Sequence, residues 1–125
     1  MKEGNKKILI LENEPPLARV LNLKISSKGF DCEIFDRGGS ALKELGTKEY
    51  GFVILNILLP DMDGFEFLKK VQNLKKRGSI NKDLHVIVFS YLGQDSDVES
   101  VEELGVDRFF RKGKQQIMDI VNYIT

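Results

Sequence analysis

The chain has 125 residues, enough for one domain with a real core, and its 42% apolar and 30% charged residues exclude a disordered or collagen-like protein. Lys plus Arg and Asp plus Glu both count 19, so no surplus charge is available to condense on a phosphate backbone, and nucleic acid is not an expected partner of this domain alone. The single Cys32 excludes an internal disulfide and reads as a small apolar strand residue; no apolar run approaches the roughly 20 residues that span a bilayer, so a soluble cytoplasmic domain with no membrane association is expected.

The opening Met1 to Lys7 is polar, and Lys7-Ile8-Leu9-Ile10-Leu11 then has the length and apolarity of a buried strand. It breaks at Glu12-Asn13-Glu14-Pro15-Pro16, where a helix can begin because proline is tolerated in its first turn. Leu17, Val20, Leu21 and Ile25 recur at helical spacing, with Arg19, Asn22 and Lys24 between them and Gly29 as a stop. A second strand over Cys32 to Phe35 leads through Asp36-Arg37-Gly38-Gly39 into a helix marked by Ala41, Leu42 and Leu45, ending near Gly46.

Phe52-Val53-Ile54-Leu55-Asn56-Ile57-Leu58-Leu59 is an apolar run interrupted once, at Asn56, and closed by the turn Pro60-Asp61-Met62-Asp63-Gly64; it reads as a strand buried on both faces with one polar side chain at its end. Asp63 and Glu66 form a candidate capping box for a helix with inner face Phe65, Leu68 and Val71, and Lys75-Lys76-Arg77 suits that helix's carboxyl end. Leu84 to Phe89 form a fourth strand ending at Ser90, after which Asp95 or Ser96 can cap a helix carrying Val98, Val101 and Leu104. A fifth strand is expected near Arg108-Phe109-Phe110-Arg111, and Ile117, Ile120, Val121 and Ile124 make a final amphipathic helix.

Strands alternating with helices imply an α/β fold: a five-stranded parallel sheet covered on both faces, a flavodoxin-like (βα)5 three-layer sandwich of strand order 2-1-3-4-5. That order sets the ends of strands one and three side by side. Glu12 and Asn13 then face Asn56, and Ser90 and Lys112 arrive from strands four and five, where ligands of such sheets bind. With no repeat, low-complexity tract or linker, residues 1–125 read as one domain.

Several separated segments resemble the response-regulator receiver domains of two-component signalling, over essentially the whole chain. Ile8 to Pro15 is similar to the family's acidic cluster after strand one, and Leu55 to Gly64 to its phosphoacceptor segment. Val86-Ile87-Val88-Phe89-Ser90 resembles the strand ending in a hydroxyl, and Gly105 to Lys112 the strand with the switch aromatic, Phe109, and the lysine. The resemblance implies an aspartate that accepts a phosphoryl group, a magnesium ion held by it and the acidic cluster, and a hydroxyl and a lysine on the phosphoryl oxygens.

This chain departs from that pattern at the acceptor itself. Asn56 has no carboxylate with which to form an acyl phosphate, so the ordinary phosphorylation route is blocked there. Glu12, Asn13 and Asn56 together offer one negative charge where three acids would offer three. Each missing carboxylate removes on the order of 4 kcal/mol of attraction at ~4 Å, doubled for a divalent ion and partly offset by hydration, so magnesium binding is expected to be weak or absent. No other cofactor is expected. Tyr91 stands where the family has a small residue, as a phenol to fill or cover the pocket. Gly113 replaces the proline after the lysine, so the bond before it is expected to be trans.

The bland alternatives are specific. Ser90 can bond backbone at a strand end, Lys112 can simply neutralise Glu12, Phe109 can be an ordinary core aromatic, and Glu14 reads as a helix-start acid. His85, the only histidine, has no acid or nucleophile near it in sequence and is not expected to be a ligand or catalyst; Asp61 and Asp63 belong to a turn and a cap and are poor substitute acceptors. The leading reading is a receiver-like signalling domain, not an enzyme, that binds proteins without phosphorylation: a histidine kinase, an output domain, or a second copy through the face of helix four, strand five and helix five. The alternative is an active phosphoacceptor whose aspartate was engineered to Asn56 or is replaced by another residue; Asn13, Tyr91 and Gly113 argue for natural loss instead. A flavodoxin-like flavin protein would need a hydroxyl- and glycine-rich cradle after strand one, which Glu12-Asn13-Glu14-Pro15-Pro16 does not offer.

Overall fold

A computed structural model describes residues 5–91 and 95–125, the side chains of residues 95–98 excepted. Five strands, β1 (Lys7–Leu11), β2 (Asp31–Phe35), β3 (Phe52–Leu55), β4 (His85–Ser90) and β5 (Arg108–Arg111), alternate with helices α1 (Pro15–Ser26), α2 (Gly38–Thr47), α3 (Gly64–Lys76), α4 (Asp95–Glu103) and α5 (Ile117–Ile124). All pairings are parallel and the order is β2-β1-β3-β4-β5, as the alternation predicts. None of the described helices is long and apolar enough to cross a membrane.

Because strand side chains alternate in direction, β1, β3 and β4 feed two separate cores. Leu9, Leu11, Val53, Leu55, Val86 and Val88 pack on one face with α2, α3 and α4 residues such as Ala41, Phe67 and Val101. Ile8, Ile10, Phe52, Ile54, Ile87 and Phe89 pack on the other with α1 and α5, against Leu21, Ile25, Ile120 and Val121 among others. The register Leu11↔Leu55 leaves the residues that follow, Glu12 and Asn56, side by side at the carboxyl edge of the sheet.

Several local expectations shift. The buried stripe of α1 is Ala18, Leu21 and Ile25, which leaves Val20 39% exposed, because Val20 lies about 100° around the helix from Leu21. In α3 the deep aromatic is Phe67 and Phe65 is only half-buried. Asp63 does cap α3, accepting from Phe65 N at 2.9 Å, but Glu66 turns to Lys70 at 3.5 Å, so the expected box is a plain cap. A capping box stands instead at the start of α5, between Gln116 and Asp119. Val101 is buried as expected, whereas Asp95, Ser96 and Val98 lie outside the described side chains.

At the β2 edge, buried Tyr50 sets its hydroxyl between two carboxylates, bonding Glu33 and lying 2.6 Å from Glu44 Oε2. Lys48 Nζ reaches the same pair at 3.5 and 3.2 Å. Burial, and then the two acids, push the phenol well above its usual range.

The turn after β3 folds back on the strand, with Gly64 N donating to Ile57 O at 2.9 Å. A Cβ on Gly64 would stand 2.6 Å from Ile57 Cα and 2.7 Å from its carbonyl oxygen, both backbone atoms that cannot step aside. Gly64→Ala is therefore expected to destabilise the protein by about 2–3 kcal/mol. Gly46→Ala, on exposed helix with nothing within 4 Å, should stabilise it by about 0.5–1 kcal/mol. Denaturant unfolding of the two variants beside the parent chain checks both signs.

Candidate functional site

Four strand ends converge on one buried polar cluster. Glu12 from β1, Asn56 from β3, Ser90 from β4 and Lys112 from β5 are the only buried polar or charged residues among those described, and the aliphatic strands hold each at the sheet's carboxyl edge. Asn13 joins them from the exposed side.

Asn56 uses the whole capacity of its amide. Its Nδ2 donates to Glu12 Oε2 at 3.1 Å and to Asn13 Oδ1 at 3.0 Å; its Oδ1 accepts from the Ser90 hydroxyl at 3.1 Å and from Leu58 N at 3.2 Å. Two donors and two acceptors are all an amide has. The neighbours also fix its orientation: Leu58 N–H can only donate and the Glu12 carboxylate can only accept. Ser90 thus bonds a side chain across the site, rather than backbone at its strand end.

The charge balance runs through Glu12 and Lys112, whose side chains are 2% and 3% exposed and whose Oε1 and Nζ are 2.9 Å apart. Sequence reasoning foresaw that pair but not its third member. Glu14 stands at the N-cap position of α1, where its side chain makes no capping bond; its carboxylate instead reaches Lys112 Nζ at 2.7 Å, across 98 residues of chain. No local pattern could have shown it. Its backbone N–H also donates to Glu12 Oε2 at 3.1 Å.

Tyr91 does not fill the pocket. It is 66% exposed and lays its ring 5.3 Å from Lys112 Nζ, with the Phe89 ring at 5.7 Å, so the two aromatics flank the ammonium. The bond before Gly113 is trans, and Gly113 sits at φ +89°, a left-handed conformation that proline's ring forbids. Phe109 is half-buried and packs against the core on the α2–α4 face.

The remaining candidates lie elsewhere. Asp61 accepts from Gly38 N at 2.8 Å and Gly39 N at 2.9 Å, capping α2 from another loop, and those N–H groups hold its carboxyl below the usual range. Asp63 is committed to its cap. His85 does have an acid beside it: Asp107 Oδ1 is 3.4 Å from its Nδ1, brought there by β4–β5 pairing, while Asp107 Oδ2 accepts from Val86 N at 2.7 Å. Both stand at the amino end of the strands, opposite the polar cluster. Cys32 is half-buried, and burial with the Asp31 charge pushes its thiol up to about 11, away from the reactive thiolate.

Residues 8–123 match the family model of the response regulator receiver domain, and the chain belongs to that family. Among curated proteins it is 27% identical over 110 residues to the alkaline phosphatase synthesis transcriptional regulatory protein PhoP of Bacillus subtilis, covering 86% of this chain and 42% of that protein. It is 27% identical over 106 residues to the transcriptional regulatory protein CusR of Escherichia coli, covering 85% and 44%. The chain thus spans less than half the length of these relatives. In fold it is similar to a CheY-like receiver domain protein from Methanospirillum hungatei, with a TM-score of 0.84, 21% identity, and 97% and 91% of the two chains covered.

The magnesium site of that family does not fit the groups present here. Glu12 brings the only carboxylate among Glu12, Asn13 and Asn56, with Oε1 taken by Lys112 and Oε2 by Asn56 and Glu14 N–H. The Asn13 oxygen is taken by the same amide. Among the described residues, no group of three or more His, Cys, Asp and Glu is placed to hold a metal ion.

Lys112→Met would leave Glu12 buried without its counter-ion. A loss of about 3–5 kcal/mol is expected in denaturant unfolding, whereas a change below about 1 kcal/mol would mean the pair is solvated like a surface bridge.

Proposed function

We propose that this receiver domain signals through protein contacts and does not pass through an acyl-phosphate state. The observation that carries the reading is the Asn56 amide, buried at the acceptor position with all four of its hydrogen bonds made within the protein. An amide has no nucleophilic oxygen to attack a phosphoryl donor, and the groups around it are engaged with one another. In this reading the domain is not an enzyme, binds magnesium weakly or not at all, and works in the cytoplasm.

Its partners are proteins of a two-component system, a histidine kinase or an output domain, met through the face of α4, β5 and α5. That face suits self-association as well. On that face α4 carries exposed Glu102 and Glu103, the edge strand β5 carries Arg108 and Arg111, and Met118 and Tyr123 of α5 are 40% and 42% exposed. Acid and base on one patch are self-complementary across a two-fold axis. Sedimentation at low salt should show a dimer that Arg108→Glu abolishes; a monomer at every concentration removes this face from the reading.

The central experiment is intact mass after incubation with acetyl phosphate and magnesium, for the native chain and Asn56→Asp. The native chain should stay unmodified. A phosphorylated variant would show that Asn56 alone is the block, and an unmodified variant that the loss extends to Asn13, Tyr91 and Gly113. A phosphoryl group on the native chain would refute the proposal and favour the alternative, a receiver with a substitute acceptor. An aspartate at position 56 in the parent gene would favour an engineered active receiver.

A further inference from the structure

We infer that the Asn56 amide is a built-in substitute for a bound cation: it closes the site into an arrangement that ties the ends of β1, β3 and β4 together and needs no ligand. This goes beyond the signalling reading, since it concerns what holds the site together whichever protein the domain contacts.

The four neighbours of that amide demand two different things. On one side stand Leu58 N–H and the Ser90 hydroxyl, 3.2 and 3.1 Å from Asn56 Oδ1; on the other stand the Glu12 carboxylate and the Asn13 oxygen, 3.1 and 3.0 Å from Nδ2. The first pair is met by an oxygen, the second by hydrogens. An amide presents both within one planar group. Aspartate has the same shape and would serve Leu58 and Ser90 equally well. Its second oxygen, however, would meet Glu12 Oε2 with no proton between them, two carboxylates in a buried place.

No neighbour is free to repair that contact. Asn13 can turn its own amide to offer hydrogens, but Glu12 has none to offer. Lys112 is already bonded to Glu12 Oε1 and Glu14 Oε2 at 2.9 and 2.7 Å, with aromatic rings on two sides. A second buried carboxylate would therefore call for a second cation. Asparagine removes that need, so what reads as loss of an acceptor is also gain of an internal donor.

Thermal unfolding of the native chain, Asn56→Asp and Asn56→Leu, each in EDTA and in excess magnesium chloride without any phosphoryl donor, tests the inference. The native midpoint should be the highest in EDTA and unmoved by magnesium. Asn56→Asp should unfold roughly 5–10 °C lower in EDTA and regain most of that with magnesium. If it does not fold in EDTA at all, folding on magnesium addition, followed by circular dichroism, is the same result. Asn56→Leu, near in size but without donor or acceptor, should be low in both solutions. The inference is overturned if Asn56→Asp matches the native chain in EDTA, if magnesium fails to restore it, or if the native chain gains as much from magnesium as the variant does. With no phosphoryl donor present, none of these outcomes bears on whether the domain can be phosphorylated.

Discussion

A carboxylate taken out of water costs several kcal/mol unless something stands in for its hydration, and Glu12 is such a group. Its two oxygens are matched by an ammonium, an amide and a backbone N–H. Each comes from a different part of the chain, so the carboxylate holds its place only if β1, β3 and β5 keep their order and register. The aliphatic strands make that order rigid, and the rigid order makes the polar cluster affordable. Neither would persist alone in this form.

The positions where this chain departs from the receiver pattern fit one another. Asn56 donates to the Glu12 carboxylate, and Asn13 supplies the second acceptor. Glu14 gives Lys112 a second counter-charge beside Glu12. Tyr91 lies over the same ammonium, and Gly113 gives the next loop a backbone shape closed to proline. Every buried polar side-chain atom among the described residues has a partner, so the cluster is closed on itself.

What could be read from the sequence follows from how far each signal reaches. Three apolar runs of strand length and two shorter mixed segments, Cys32 to Phe35 and Arg108 to Arg111, separated by helical periodicity and turn residues, specify the sheet, and the sheet brings Glu12, Asn56, Ser90 and Lys112 together. Those inferences need only a few neighbouring residues and a topology rule. The parts that escaped depend on side chains meeting across long separations. Glu14 looks like any acid beside a helix start until β5 delivers Lys112; Asp61 looks like a turn residue until it is seen over the start of α2; His85 gains its acid only because β5 pairs with β4. The exchange of Val20 for Ala18 on α1 is of another kind: helical spacing specifies a stripe, and the sheet it packs on sets that stripe's centre part of a turn away.

The two edges of the sheet are unlike. On β2, Asp31 is tied to Lys7 at 2.8 Å, and Glu33 sits in the cluster of Tyr50, Glu44 and Lys48. A strand approaching that side meets fixed charges, which discourage edge-to-edge pairing. The opposite edge, Arg-Phe-Phe-Arg in β5, is cationic, with Arg108 laid over the rings of Phe110 and Tyr123. Growth of the sheet by addition of further chains is thus opposed at both edges by charge, but of different kinds: paired acids and lysines along β2, and arginines along β5.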